Sequence, residues 1–160
     1  MQNKVLSLNA GSIVQVVGFP GAGKSTLLWC TFNQWEGIGV RIFVDAEGSC
    51  HSRSCDLSKG YIYRVCSLSA LFGCLRQLGE LTAARNGPVL LCIDGVGTLL
   101  ASVEGVSARM RVAATLMQLV NRLCEKNRLL AVVISNCMTA RRGPVLGAVF
   151  GRFFTERIVL

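Results

Sequence analysis

Continuous apolar runs alternate along the chain with segments whose apolar residues recur every three or four positions. The runs predict strands in five places: SIVQVVGFP (12–20), VRIFVDAEG (40–48), a short strand in YIYRVCS (61–67), PVLLCIDGVG (88–97) and LLAVVISNC (129–137). The other segments predict helices: KSTLLWCTFNQW (24–35), SALFGCLRQLGELTAARN (69–86) and SARMRVAATLMQLVNRLCEKN (107–127). The last helix is amphipathic, with one apolar face formed by Val112, Leu116, Leu119, Val120 and Leu123.

Strands that are apolar throughout and alternate with helices are typical of an α/β fold. We therefore expect a mostly parallel central sheet with helices on both faces. The closing segment FTERIVL (154–160) predicts one more strand, lying antiparallel at the sheet edge. The chain has no repeat, low-complexity tract or linker, so we expect a single domain over residues 1–160.

Composition indicates a folded protein without a membrane segment. Hydrophobic residues make up 51% of the 160 residues, and no run approaches the roughly 18 apolar residues that a membrane helix needs. The first residues, MQNKVLSLNAGS, lack the apolar core of a secretory signal, which predicts an intracellular location. The formal net charge of +8 favours contact with phosphate backbones or other anionic surfaces.

Most of the eight cysteines fall within apolar segments. There we expect them to act as small buried hydrophobic residues in a reducing compartment. Cys50, His51 and Cys55 lie close together, but no second ligand pair completes a tetrahedral zinc site.

The stretch GFPGAGKS fits the phosphate-binding pattern G-x-x-x-x-G-K-[ST] and lies between a predicted strand and a predicted helix. Its glycines allow backbone N–H groups to face a phosphate, Lys24 can reach the terminal phosphates, and Ser25 can offer its hydroxyl to Mg²⁺. The alternative is a glycine-rich turn without a ligand. The predicted nucleotide-binding residues are Gly18, Phe19, Pro20, Gly21, Ala22, Gly23, Lys24, Ser25 and Thr26.

Acidic residues end two of the predicted strands. Asp94 follows the apolar run VLLCI and is the candidate Mg²⁺ partner; its alternative role is a cap at a strand end. Asp45 and Glu47 end the strand that follows the first helix. A carboxylate there could polarise an attacking water, although solvated loop charge is an equal alternative.

In this order, these segments resemble the ATPase core of the RecA-like recombinases, especially the eukaryotic and archaeal strand-exchange proteins and their paralogues. The resemblance implies a P-loop NTPase with a RecA-like core that uses ATP and Mg²⁺. It makes Lys24, Glu47 and Asp94 the catalytic candidates, with Glu47 as general base. The similar segments are AGSIVQVVGFPGAGKST, FVDAEG, VLLCIDGVG, VSARMRVAATLMQLVNRLCEKNRLLAVVISN and PVLGAVFGRFFTERIVL.

The chain also departs from the family pattern. Cys137 occupies the place of the glutamine that senses the γ-phosphate, and Arg53 is only near the place of the adenine-stacking arginine. The two DNA-binding loops correspond to residues 95–107 and 138–147, both short for a strand-exchange protein. Four arginines are candidate DNA contacts, with solvated surface charge as the alternative: Arg109, Arg111, Arg141 and Arg142.

The resemblance implies a nuclear paralogue that acts in homologous recombination and double-strand-break repair. We expect a weak, DNA-dependent ATPase that binds single-stranded or branched DNA and joins other recombinase subunits in a hetero-oligomer. With so little chain ahead of Ser12, we expect it to lack the family's N-terminal helical domain and docking linker. Two alternatives are a small P-loop kinase and an interaction subunit that holds a structural nucleotide.

Overall fold

The computed structural model describes residues 6, 8–35, 38–52, 60–83, 87–139, 143–144 and 151–160. These residues include seven strands: β1 Ile13–Gly18, β2 Val40–Asp45, β3 Gly60–Arg64, β4 Val89–Asp94, β5 Leu130–Thr139, β6 Gly143–Pro144 and β7 Glu156–Val159. The α-helices are α1 Lys24–Gln34, α2 Leu68–Ala83, α3 Val96–Ala101 and α4 Val106–Lys126. A 3₁₀ turn covers Ser49–Ser52.

Six strands form an all-parallel central sheet in the order β3-β2-β4-β5-β1-β7, and β6 pairs antiparallel with β5. The prediction of an α/β protein with a mostly parallel sheet is therefore confirmed. Parallel strands all run in the same direction, so their carboxyl ends lie along one side of the sheet. The segments that follow β1, β2 and β4 consequently meet at one edge, which is called the carboxyl edge below.

Helices cover both faces of the sheet, as predicted. On one face, strand residues such as Val44, Ile93 and Ile134 pack with buried residues of α2, α3 and α4. On the other face, Phe43 and Val133 pack with α1. Adjacent strand residues belong to opposite clusters because side chains alternate across a strand. On α4, the predicted apolar face packs against the first cluster through Val112, Leu116, Leu119, Val120 and Leu123.

A fully buried arginine joins α1 to the sheet. Arg41 on β2 is 0% exposed, and its Nη1 donates hydrogen bonds to the carbonyls of Phe32 (3.3 Å) and Asn33 (3.1 Å) in the last turn of α1. Its guanidinium also lies 4.9 Å from the centre of the Phe32 ring. A cation at a helix carboxyl end is favoured by the helix dipole. Arg41 thus anchors one end of α1, while the other end of that helix faces the carboxyl edge.

Two predictions about elements need correction. The closing strand β7 lies beside β1, but it runs parallel to β1, with Arg157 opposite Gln15. The Thr155 N–H donates to the carbonyl of Ile13, and the Leu160 N–H donates to that of Val17, so β1 and β7 run in the same direction. The structure also contains α3, which the sequence analysis placed within a loop; six residues are too few to show helical periodicity.

The cysteine prediction holds in part. Among the six cysteines with described side chains, Cys92 is buried, Cys66 is exposed and the other four are half-buried. In the described part of the chain, no group of three metal-ligating side chains is arranged to hold a metal ion. Cys55 and the side chain of His51 lie outside the described residues.

Candidate functional site

The carboxyl edge brings together the glycine-rich loop and the acidic residues singled out in the sequence. The loop follows Gly18 at the end of β1, whereas Asp45 and Asp94 end β2 and β4 and are paired in register. Strand β5 lies between β1 and β4 and contributes Ser135 near its carboxyl end. In open α/β sheets, ligands bind in crevices outside the carboxyl ends of the strands.

The glycine-rich loop has a backbone that suits an anion. Gly21 and Gly23 have φ angles of 81° and 91°, a region that residues with a Cβ rarely adopt. At Gly18, a Cβ would lie 3.1 Å from both the Ala22 Cβ and the Leu160 carbonyl oxygen, so the loop folds closely against its surroundings. The Ala22 N–H donates to the Phe19 carbonyl (3.1 Å) and closes the turn.

Helix α1 begins at Lys24, directly after this loop. Its N-cap, Gly23, makes no side-chain capping hydrogen bond, and the first turn contains no acidic residue. Lys24 is only 7% exposed, and its Nζ donates to the Phe19 carbonyl at 2.8 Å. A helix start without a side-chain cap, beside a buried cation, fits a phosphate group. Ser25 follows in the same turn and adds a hydroxyl oxygen of the kind that Mg²⁺ prefers.

Asp94 is completely buried, and both of its carboxylate oxygens accept hydrogen bonds from serine hydroxyls. Ser135 Oγ donates to Oδ1 in a short hydrogen bond, and Ser49 Oγ donates to Oδ2 at 2.9 Å. The Gly95 N–H donates to Ser135 Oγ at 2.9 Å. This first backbone N–H after β4 is therefore bonded to Ser135 and not to Asp94. The carboxylate oxygens are hard ligands that fit Mg²⁺ or its bound waters.

Asp45 organises the loop that follows β2. It is 1% exposed, and four successive backbone N–H groups donate to its carboxylate. These N–H groups belong to Glu47 (3.1 Å), Gly48 (2.7 Å), Ser49 (3.1 Å) and Cys50 (3.2 Å). Because its oxygens are occupied in this way, Asp45 is suited to hold the loop, not to accept a proton from water.

Glu47 has the opposite character. Its side chain is exposed, and its Oε1 accepts a hydrogen bond from Thr98 Oγ1 of α3 at 2.9 Å. The side chain passes over Gly95, where a Cβ would lie 3.0 Å from the Glu47 carboxyl carbon. Of the two carboxylates that follow β2, Glu47 is therefore the one with access to a ligand. Its role as general base stays a prediction.

Two thiols beside the site are poor nucleophiles. Burial, with the negative charges of Asp45 and Asp94 nearby, raises the pKa of the Cys50 thiol to about 12. Burial likewise raises the pKa of the Cys92 thiol, and the charge of Asp94 adds to this effect. Both cysteines are consequently neutral thiols at physiological pH, which leaves carboxylates as the candidate proton acceptors among these groups.

The arginines predicted to contact DNA are only partly described. Arg109 donates through Nη2 to the Val103 carbonyl (3.1 Å) and so supports the turn before α4, whereas Arg111 is exposed. The structure places a helix, α3, in the first of the two predicted DNA-binding loops. Several predicted positions lie outside the described residues: Arg53, Arg141, Arg142 and the side chain of Cys137.

The hydroxyl groups that surround the acidic residues were not predicted from the sequence. Ser49, Thr98 and Ser135 each donate to a carboxylate of the site. For Ser135 a signal was present, because Ser135 and Asn136 are polar residues at the end of an apolar strand. Ser49 and Thr98 lie in short irregular or helical segments whose patterns carry no such signal.

Comparison of the sequence with protein-family models finds no matching family, and comparison with curated proteins finds no matching sequence. The likeness to RecA-like recombinases thus rests on the motifs and their order. Within the described residues, the structure has no helix with the length and apolarity needed to cross a membrane.

Proposed function

We propose that this chain binds ATP with Mg²⁺ at the carboxyl edge and hydrolyses it slowly, as a P-loop NTPase with a RecA-like core. The observation that carries the proposal is the convergence of three features at one sheet edge. These are the uncapped start of α1 with its buried Lys24, the carboxylate of Asp94 held by two hydroxyls, and the exposed carboxylate of Glu47.

Each of these residues has a role that follows from its position. The backbone of the loop and Lys24 bind the phosphates, for which Lys24 Nζ exchanges the Phe19 carbonyl for a phosphate oxygen. Ser25 and Asp94 hold Mg²⁺ or its waters. When bound, Mg²⁺ neutralises part of the phosphate charge. Glu47 accepts a proton from the attacking water, and Thr98 orients its carboxylate.

The biological role that we propose is that of a recombinase paralogue in homologous recombination and double-strand-break repair. The order of the motifs from GFPGAGKST to FTERIVL supports it, as does the net charge of +8. In this role the chain binds single-stranded or branched DNA and associates with other recombinase subunits in the nucleus. The exposed Arg111 is the candidate phosphate contact among the described residues.

ATP turnover, measured with and without single-stranded DNA, tests this proposal. The native protein should hydrolyse ATP faster when DNA is present. Glu47→Gln should lose turnover while it still binds ATP, because the amide cannot accept the proton. Lys24→Ala should lose nucleotide binding. The exposed Glu80 offers a matched control, and Glu80→Gln should behave like the native protein.

The outcomes separate the proposed function from its alternatives. Tight ATP binding without turnover in the native protein would indicate a structural nucleotide and a role through partners. Turnover that is insensitive to DNA, together with transfer of phosphate to a small acceptor, would indicate a kinase. Unchanged turnover in Glu47→Gln would contradict the role of Glu47.

A further inference from the structure

A buried amide near the carboxyl end of β5 has no hydrogen-bond partner. Asn136 is 1% exposed, and neither its Nδ2 nor its Oδ1 has a partner. Within the described residues, it is the only side chain with two buried polar atoms that both lack a partner. A buried polar group without a partner costs about 1–3 kcal/mol of stability, so a residue of this kind needs an explanation.

Asn136 lies at the same carboxyl edge as Glu47. Alternation along β5 puts Asn136 on the same face as Ile134, which packs with α3 and α4. Ile93 of β4 is paired with Ile134, the last pair between β4 and β5, and Gly95 and Asn136 each lie two residues beyond that pair. The Glu47 side chain covers Gly95, with Oε1 at 3.2 Å from the position that a Cβ would take there. Asn136 and the Glu47 side chain above Gly95 therefore both lie at the carboxyl edge, just beyond the point where β4 and β5 stop pairing.

The residues on either side of Asn136 cannot satisfy its amide. On one side β1 pairs Val17, which is apolar, with Asn136, and on the other side the pairing of β5 with β4 has already ended at Ile134. Ser135 belongs to the opposite face of the strand, where its hydroxyl bonds to Asp94. The missing partner therefore comes from a ligand at the carboxyl edge, not from the neighbouring strands.

The chemistry of an amide suits a water molecule between a base and a phosphate. A water molecule that attacks phosphorus has two hydrogens, and Glu47 can accept only the one that is transferred. A carboxamide oxygen can accept the other hydrogen, and the carboxamide N–H can donate to a phosphate oxygen. An apolar side chain of the same size can do neither.

We infer that Asn136 is a positioning residue that orients the attacking water for Glu47, an inference that rests on the proposed hydrolysis of ATP. In that step the water oxygen forms a bond to the terminal phosphorus, and the bond from this phosphorus to the bridging oxygen breaks. The bridging oxygen keeps the electron pair and leaves with the diphosphate, and one proton of the water passes to Glu47. Asn136 forms no covalent bond.

The variant Asn136→Leu tests this role, because leucine has a similar size but no polar atom. We expect kcat to fall by about 100-fold, with KM within about twofold of the native value. Removing an unpaired buried amide should leave the melting temperature unchanged or raise it. A purely structural role for Asn136 predicts the opposite pattern: a lower melting temperature and unchanged kcat. Asn136→Ala removes the same two polar atoms and serves if leucine reduces the yield of folded protein.

Gln15 provides a matched control. It is also a fully buried amide on the same face of the sheet, and its Nε2 has no partner among the described residues. Gln15 is paired with Ile134, and so lies farther from the carboxyl edge than Asn136 does. Its Oε1 accepts a hydrogen bond from Arg157 Nε at 2.8 Å. Gln15→Leu should lower the melting temperature, through loss of this bond, and should leave kcat within about twofold.

A binding measurement tests the same inference without turnover. ADP with Mg²⁺ and aluminium fluoride, which stands in for the transferred phosphoryl group, should raise the melting temperature of the native protein more than ADP with Mg²⁺ alone. Asn136→Leu should keep the shift caused by ADP and lose the additional shift. An additional shift that is equal in both proteins overturns the role of Asn136 and leaves ATP binding standing. A native protein that binds no nucleotide overturns both proposals.

Discussion

Replacing Gly95 with alanine should displace Glu47 without altering its carboxylate. Gly95 has φ 82° and ψ 26°, and it is the N-cap of α3. Its N–H is held by Ser135 Oγ at 2.9 Å, which limits movement of the backbone. An added Cβ would collide with the Cγ of Glu47 and lie 3.0 Å from its Cδ. Because Glu47 is exposed, its side chain will move outward and lose the hydrogen bond from Thr98.

The cost of this substitution has two parts. A left-handed conformation costs a residue with a Cβ about 1–2 kcal/mol. Loss of the hydrogen bond between Thr98 and Glu47 adds about 0.5–1.5 kcal/mol. For a chain of this size, the sum corresponds to a fall in melting temperature of roughly 3–14 °C. Displacement of the proton acceptor by about 1 Å should lower kcat by about 100-fold.

Gly11→Ala is the matched control for this experiment. Gly11 also has a positive φ angle, 78°, but a Cβ there would have as its nearest neighbour the Arg128 carbonyl oxygen, at an ordinary distance of 3.8 Å. Gly11 precedes β1 and so lies at the opposite edge of the sheet. Gly11→Ala should lose about 1–2 kcal/mol and keep its turnover. Native turnover in Gly95→Ala would show that the position of the Glu47 carboxylate does not require the space above Gly95. That result would refute the role given to this contact.

Two further predictions concern stability. Asp45→Asn should lower the free energy of unfolding by about 1–3 kcal/mol, because an amide N–H₂ replaces one oxygen that accepts backbone N–H groups. Urea titrations measure this change, and an unchanged free energy of unfolding would contradict the role of Asp45 in holding the loop. The pKa of the Cys92 thiol is raised above its ordinary value of 9.0, so the stability it contributes is complete below pH 9 and is lost as the pH rises further. Above pH 9 the contribution of Cys92 should fall by about 1.4 kcal/mol per pH unit. Between pH 8 and pH 11 the free energy of unfolding should therefore decline less steeply in Cys92→Ala than in the native protein. An equal decline in both proteins would refute the raised pKa of the Cys92 thiol.

The sequence predicted most of the fold because its strands and helices have clear patterns. Short apolar runs such as VLLCID are typical of buried strands, and their alternation with helices implies a parallel sheet. The direction of β7 was mispredicted, because the pattern of four residues at a sheet edge is the same in either direction. Pairing direction depends on where the chain returns to the sheet, which is a tertiary property.

For the candidate site, the sequence identified the acidic residues but not the separate role of each one. Position alone gave Asp45 and Glu47 equal standing, and the resemblance favoured Glu47. The structure distinguishes the two residues by their partners: four backbone N–H groups for Asp45, and one exposed hydroxyl, that of Thr98, for Glu47. Hydrogen-bond partners that come from distant parts of the chain leave no periodic signal in a single sequence.

The loop after β2 and the end of β4 are joined into one unit by Ser49. Its backbone N–H donates to Asp45, and its hydroxyl donates to Asp94, while Glu47 lies two residues earlier in the same loop. The distance between the candidate proton acceptor and the candidate Mg²⁺ partner is therefore set by a partly buried hydrogen-bond network within the protein. Groups held in place before a reaction need no reorganisation during it, which is the main way in which proteins stabilise a transition state electrostatically. The proposed hydrolysis should consequently depend on Ser49, although Ser49 itself neither accepts a proton nor binds a phosphate.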